Sequence, residues 1–105
     1  MTANEYQKLA FVTAGTTDAE EMLMNGALGL NGEAGEVADI IKKYKFQGHE
    51  LDREHLAEEI SDVMWYIALL ATALDTNLES IMEMNIDKLK ARFPDGFDVD
   101  KSVNR

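Results

Sequence analysis

From Val63 to Leu74 the chain is apolar almost all the way round a helix, and no other feature constrains its fold as tightly. Leu56, Ile60, Val63, Ile67, Leu70 and Leu74 recur at the i, i+4, i+7 spacing of one helix face. A helix that is apolar on every side is buried on every side. A chain of 105 residues has little material to cover it, so the pattern predicts a dimer or higher oligomer whose partner supplies the cover. The longest unbroken apolar run, Val63 to Ala71, has nine residues, far short of the ~20 that cross a membrane.

Capping and stop signals divide the rest into helices, with no strand pattern. Thr2 and Glu5 form a capping-box signature for a first helix that stops near Gly15. Thr17 and Glu20 repeat the signature for a second helix, which reaches about Phe46 and ends at Gly48. Asp52 opens the third helix, to about Leu74, and Asn77 the fourth, to about Phe93. Pro94, the only proline, marks the last stop, and the polar tail from about residue 95 is expected to be irregular. The expectation is an all-α, four-helix bundle completed by oligomerisation, with residues 1–105 as one domain. Glycines 26, 29, 32 and 35 each weaken the second helix by roughly 1 kcal/mol relative to alanine. They therefore suggest close packing, ligand approach or a break.

Two acidic pairs stand where such a protein should place its core. The face through Met22, Gly26, Gly29, Glu33, Glu36, Ile40 and Tyr44 and the face through Glu59, Asp62, Tyr66, Leu69 and Ala73 are continued by small and apolar residues. Spacing alone decides nothing, since the 20 acids form five i, i+3 pairs, close to the about four expected by chance. Position decides more. Carboxylates on a partly buried face are costly unless cations or metal ions compensate them, and hard cations such as Mg²⁺ suit oxygen ligands.

The net charge of −10 argues against binding nucleic acid polymers or anionic membranes. It does not oppose a phosphorylated small molecule, because divalent cations invert the local field. Absence of cysteine excludes disulfides and thiolate metal sites. The N-terminus lacks the form of a signal peptide, so a cytoplasmic location is the expectation.

Glu33-x-x-Glu36, 22 intervening residues and Glu59-x-x-Asp62, set in GEAGEVADIIKK, EEISDVMWY and NIDKLKARFPDGF, resemble the MazG-like nucleoside triphosphate pyrophosphohydrolases of the all-α NTP pyrophosphatase superfamily. The resemblance covers roughly residues 25–97. It implies an enzyme that hydrolyses an NTP or dNTP to the monophosphate and pyrophosphate, as a homodimer or dimer of dimers. It further implies that Glu33, Glu36, Glu59 and Asp62 hold Mg²⁺ or Mn²⁺, with Glu33 or Glu36 orienting or deprotonating the attacking water. Asn85, Lys88 and Arg92 correspond to the family's N-x-x-K-x-x-x-R element near the phosphates. Their spacing puts all three on one helix face that begins with Leu78 and Ile81. Tyr66 and Trp65 can stack on a base, though for Trp65 core packing is the simpler role. Asn25 and Asn31 can meet base or sugar.

Other residues have plainer readings. Asp39, His49 and His55 read as solvated, Lys42, Lys43 and Lys45 as cations suited to a helix C-terminus, and the methionines at 22, 24, 64, 82 and 84 as core filler. An oxygen-activating di-iron bundle needs Glu-x-x-His motifs, which the chain lacks. A non-catalytic regulatory or partner-binding module that keeps the fold is the alternative function. Dimeric dUTPases are usually longer than this chain.

Overall fold

A side-chain oxygen one residue ahead of each helical stretch sets the starts of five helices in the computed structural model, which describes residues 1–104. They are α1 (Ala3–Phe11), α2 (Ala19–Phe46), α3 (Arg53–Ala73), α4 (Leu78–Arg92) and α5 (Val99–Val103), with no strand among the described residues. Thr2 and Glu5 form the expected reciprocal capping box. Asp52 and Asn77 accept the backbone N–H of His55 and Ser80 as anticipated. The start of α2 differs from expectation: Asp18, not Thr17, is the cap and accepts the Glu20 N–H. A carboxylate is the better choice there, because it also faces the positive end of the helix.

The ends also follow local chemistry. Gly48, at φ +72°, lets the chain turn so that the His49 N–H returns to the Lys43 carbonyl at 3.2 Å. Helix α1 ends earlier than Gly15 suggested, because Val12, Thr13 and Ala14 tighten into turns bonded to Leu9, Ala10 and Phe11. The tail is not wholly irregular: Asp98 caps the short α5 by accepting the Lys101 N–H.

Helices α2 and α3 form an antiparallel hairpin whose close approach depends on two glycines. A Cβ at Gly26 would come within 2.7 Å of Leu70, and one at Gly29 would overlap the Tyr66 ring. Gly32 and Gly35 face open space, and α2 continues unbroken through all four. On the other side of α3, α1 runs antiparallel to it. Gln7 donates to the Thr72 hydroxyl near one end, and the Trp65 indole donates to the Thr13 hydroxyl near the other.

Helix α1 also holds the start of α4. Gln7 and Asn4 accept the Leu78 and Glu79 N–H groups, and Asn77 accepts that of Ser80. Three donors that a helix N-terminus would otherwise leave open are thereby satisfied. Ala10, Ala68, Ala71 and Leu78 form the small core beneath, with Ala3, Tyr6, Trp65 and Ile81 packed against it.

The apolar stripe of α3 corrects one expectation within the single chain. Leu56, Val63 and Leu70 are half-buried, but Ile60, Ile67 and Leu74 are exposed, and the buried positions are Ala68, Leu69 and Ala71. Ala68 and Ala71 pack inward because α1 and α2 approach closely there, leaving Ile60, Ile67 and Leu74 outside. Of the five methionines expected in the core, only Met22 is buried; Met24, Met64, Met82 and Met84 are exposed. The accessible surface is 7815 Å², against about 5,900 Å² for a folded monomer of 11.7 kDa. The radius of gyration is 16.7 Å, against about 13 Å for a compact chain of this length.

Candidate metal centre and active site

The Gly29–Tyr66 contact brings α2 and α3 together beside three acids. Glu33 follows Gly29 by four residues, and Asp62 precedes Tyr66 by four, so both point into the same gap. Glu59 lies one turn further along α3. Glu33, Glu59 and Asp62 each present a carboxylate oxygen within 4.8 Å of the others. Glu33 and Glu59 are half-buried, and Asp62 is exposed at the mouth.

The electrostatics follow from this crowding. Glu33 holds its proton more tightly than an ordinary glutamate: a hydrogen bond shared with Glu59 contributes most, then loss of water, then the charges of Glu59 and Asp62. The side chain of Glu59 is only 17% exposed, and His55 Nε2 lies 3.9 Å from its Oε1. An all-oxygen donor set crowded this closely fits a hard divalent cation.

Glu36, the fourth predicted ligand, is exposed and stands outside this triad. It lines an adjoining cavity of about 280 Å³ with Asp39, Lys43, Asp52 and His55. Asp39 is not simply solvated: Lys43 Nζ lies 2.7 Å from its carboxylate and Lys42 lies at 3.5 Å. The Asp39–Lys43 hydrogen bond first, reinforced by the opposite charges, holds Asp39 below and Lys43 above its ordinary range.

The predicted phosphate ligands stand elsewhere in the single chain. Helix α4 packs on α1 and α3. Leu78 is buried and Ile81 half-buried, as the inward start of that face required, but Asn85 and Lys88 are exposed and line a shallow cavity with Ile81 and Met84. Arg92 leans over the ring of its neighbour Phe93, 5.8 Å from the centroid. Asn25 and Asn31 are exposed. Trp65 belongs to the core edge and meets Tyr66 edge-on, with ring centroids 5.0 Å apart.

Two neighbours of the site escaped the sequence reading. His55 is four residues before Glu59, a helical spacing that could have revealed it. Tyr6 reaches the field of Asp62 from α1; burial first and that charge second push its phenol up. No local pattern announces a contact between residues so far apart in the chain.

Residues 23–97 match the MazG nucleotide pyrophosphohydrolase domain, and the match spans most of α2, all of α3 and α4, and the whole carboxylate triad. The chain belongs to the MazG family. This MazG chain is similar to the Gene 37 protein of Mycobacterium phage L5, with 40% identity over 83 residues that cover 75% of the chain and 73% of the phage protein. No solved structure matches it. The family match leaves α1 outside, although α1 carries Tyr6 and holds the start of α4. No helix among the described residues is long and apolar enough to cross a membrane.

Proposed function

We propose that this MazG chain hydrolyses a nucleoside triphosphate, NTP or dNTP, to the monophosphate and pyrophosphate with Mg²⁺ (or Mn²⁺). The observation that carries the reading is the meeting of Glu33, Glu59 and Asp62 within 4.8 Å, inside the family-matched segment. Glu33, Glu59 and Asp62 hold the cation in this reading, and Glu36 joins from the adjoining cavity. When bound, such a cation neutralises phosphate charge and polarises water.

The chain's own groups do the rest. A triphosphate near −4 cannot approach three bare carboxylates, so the acids first take up compensating charge and then position the substrate. Glu33 or Glu36 orients the attacking water and receives its proton. Tyr66 forms part of the wall on which a base can lie. Asn85, Lys88 and Arg92 bind the phosphates, and Arg and Lys hold the charge that builds on the departing pyrophosphate.

Assembly as a homodimer or dimer of dimers belongs to the same reading. The surface excess over a compact monomer is about 1,900 Å², more than the ~800 Å² that one partner commonly gives to a stable interface. Exposed Ile60, Met64 and Ile67 on α3 and Met82, Ile86 and Leu89 on α4 supply its apolar part. A second copy would also bring an α4, with its Asn85, Lys88 and Arg92, toward the acids.

Pyrophosphate release from a panel of NTPs and dNTPs, with Mg²⁺ and with EDTA, tests the reading. Metal-dependent release that Asp62→Ala and Glu36→Ala reduce at least 100-fold is expected, at roughly 2.7 kcal/mol of barrier per 100-fold. No release from a folded oligomer would favour the non-catalytic module. Full turnover in both variants would overturn the site.

A further inference from the structure

We infer that Tyr66, seated on Gly29, is the spacer that sets the separation of α2 and α3 at the carboxylates and so tunes their affinity for a divalent cation. Both are positioning residues, and the inference rests on reading Glu33, Glu59 and Asp62 as the metal centre. The ring and the acids occupy successive layers of one interface. Gly29 lies one turn before Glu33, and Tyr66 one turn after Asp62. A Cβ at position 29 would overlap the ring atoms Cε1, Cζ and Cδ1 together, so the ring rests directly on the α2 backbone.

The ring also has an aromatic neighbour. Trp65 meets it edge-on, with ring centroids 5.0 Å apart, and the Trp65 indole is tied to the Thr13 hydroxyl at 2.9 Å. One layer further from the acids, Leu70 closes on Gly26 in the same way. Two adjacent layers of contact restrain α2 from pivoting against α3. Gly32 meets nothing within 4 Å, so the glycines are not equivalent and only the first two register the helices.

Metal binding depends on that separation. Mg²⁺ demands oxygens at about 2.0–2.1 Å in a near-ideal octahedron, and a site loosened by about 1 Å commonly fails. Thickening the Tyr66 layer by one methyl, or thinning it, moves Glu33 relative to Glu59 and Asp62 without touching a carboxylate.

Mn²⁺ titration of the full chain, read by loss of the free-ion EPR signal, tests this, with helicity followed by circular dichroism. Gly29→Ala is expected to stay helical and bind Mn²⁺ at least tenfold more weakly. Tyr66→Leu weakens binding by thinning the same layer, and the double variant Gly29→Ala/Tyr66→Leu recovers most of the loss. Gly32→Ala stays within twofold of the parent chain. A helical Gly29→Ala with parent affinity, or losses that simply add in the double variant, overturns the spacer. Should Gly29→Ala not fold, Tyr66→Leu decides alone: weakened binding supports the spacer and parent affinity overturns it. Failure of the parent chain to bind Mn²⁺ overturns the metal reading itself, before any variant is compared.

Discussion

Glu33 shares a hydrogen bond with Glu59 and lies in the fields of Glu59 and Asp62, so its folded-state proton affinity exceeds that of the unfolded chain, where its value is near 4.5. A raised acid stabilises the fold fully below its unfolded value and loses that contribution as pH rises through the folded one. The metal-free protein should therefore lose stability from this site as pH rises above 4.5. A bound cation offsets the loss by replacing the proton. Mg²⁺ is expected to raise Tm clearly near neutral pH and little below pH 4.5. Glu33→Gln should raise the metal-free Tm near neutrality and abolish the Mg²⁺ shift. Calorimetry with and without EDTA reads both, and an equal Mg²⁺ shift at the two pH values would contradict the account. Three of the four predicted acids were legible because their helix faces continue into apolar residues. The place of Glu36 outside the triad was not, since helix spacing does not say how α2 is turned against α3. Tyr6 was illegible for another reason: its link to Asp62 is made by the packing of α1, not by spacing.

At the level of elements, Gln7 joins three helices through one buried amide. Its Nε2 donates to the Thr72 hydroxyl and the Thr76 carbonyl, and its Oε1 accepts the Leu78 N–H at 2.7 Å. Gln7→Ala leaves a buried donor and acceptor without partners, which costs about 1–3 kcal/mol. Urea unfolding should show that loss as a lower midpoint with unchanged slope. Gly32→Ala, in open space within α2, should instead stabilise the chain by roughly 0.5–1 kcal/mol, and a drop in Tm would show that something covers that position. Helix starts at Thr2, Asp52 and Asn77 and the stop at Gly48 were readable because caps are local chemistry. The inward side of α3 was not. When a segment is apolar almost all round, its period cannot say which face meets α1 and α2, and the small residues at 68 and 71 won because those helices come close.

The whole molecule is more open than a compact monomer of its mass. Its surface exceeds that of a compact monomer by about 1,900 Å², and Ile60, Ile67 and Leu74 of the α3 stripe are exposed. In the proposed assembly, a second copy would cover both. Size-exclusion chromatography with light scattering should find a dimer or tetramer, and Ile67→Glu, which places a charge in that stripe, should shift it to monomer with a lower Tm. A monodisperse parent monomer at micromolar concentration would refute the assembly. The separation of charges argues the same way. The acids lie between α2 and α3, while Asn85 and Lys88 stand exposed on α4 of the same chain. If the phosphate ligands reach the acids across the interface, two inactive chains should repair each other. Asp62→Asn lacks the metal centre and Lys88→Ala lacks the phosphate contact, yet a mixed dimer holds one site with both intact. Random mixing makes half of the dimers mixed, each with one working site of two, so roughly a quarter of parental pyrophosphate release should return. If mixing after subunit exchange restores nothing, Lys88 acts within its own chain, and α4 must swing toward the acids when the nucleotide binds.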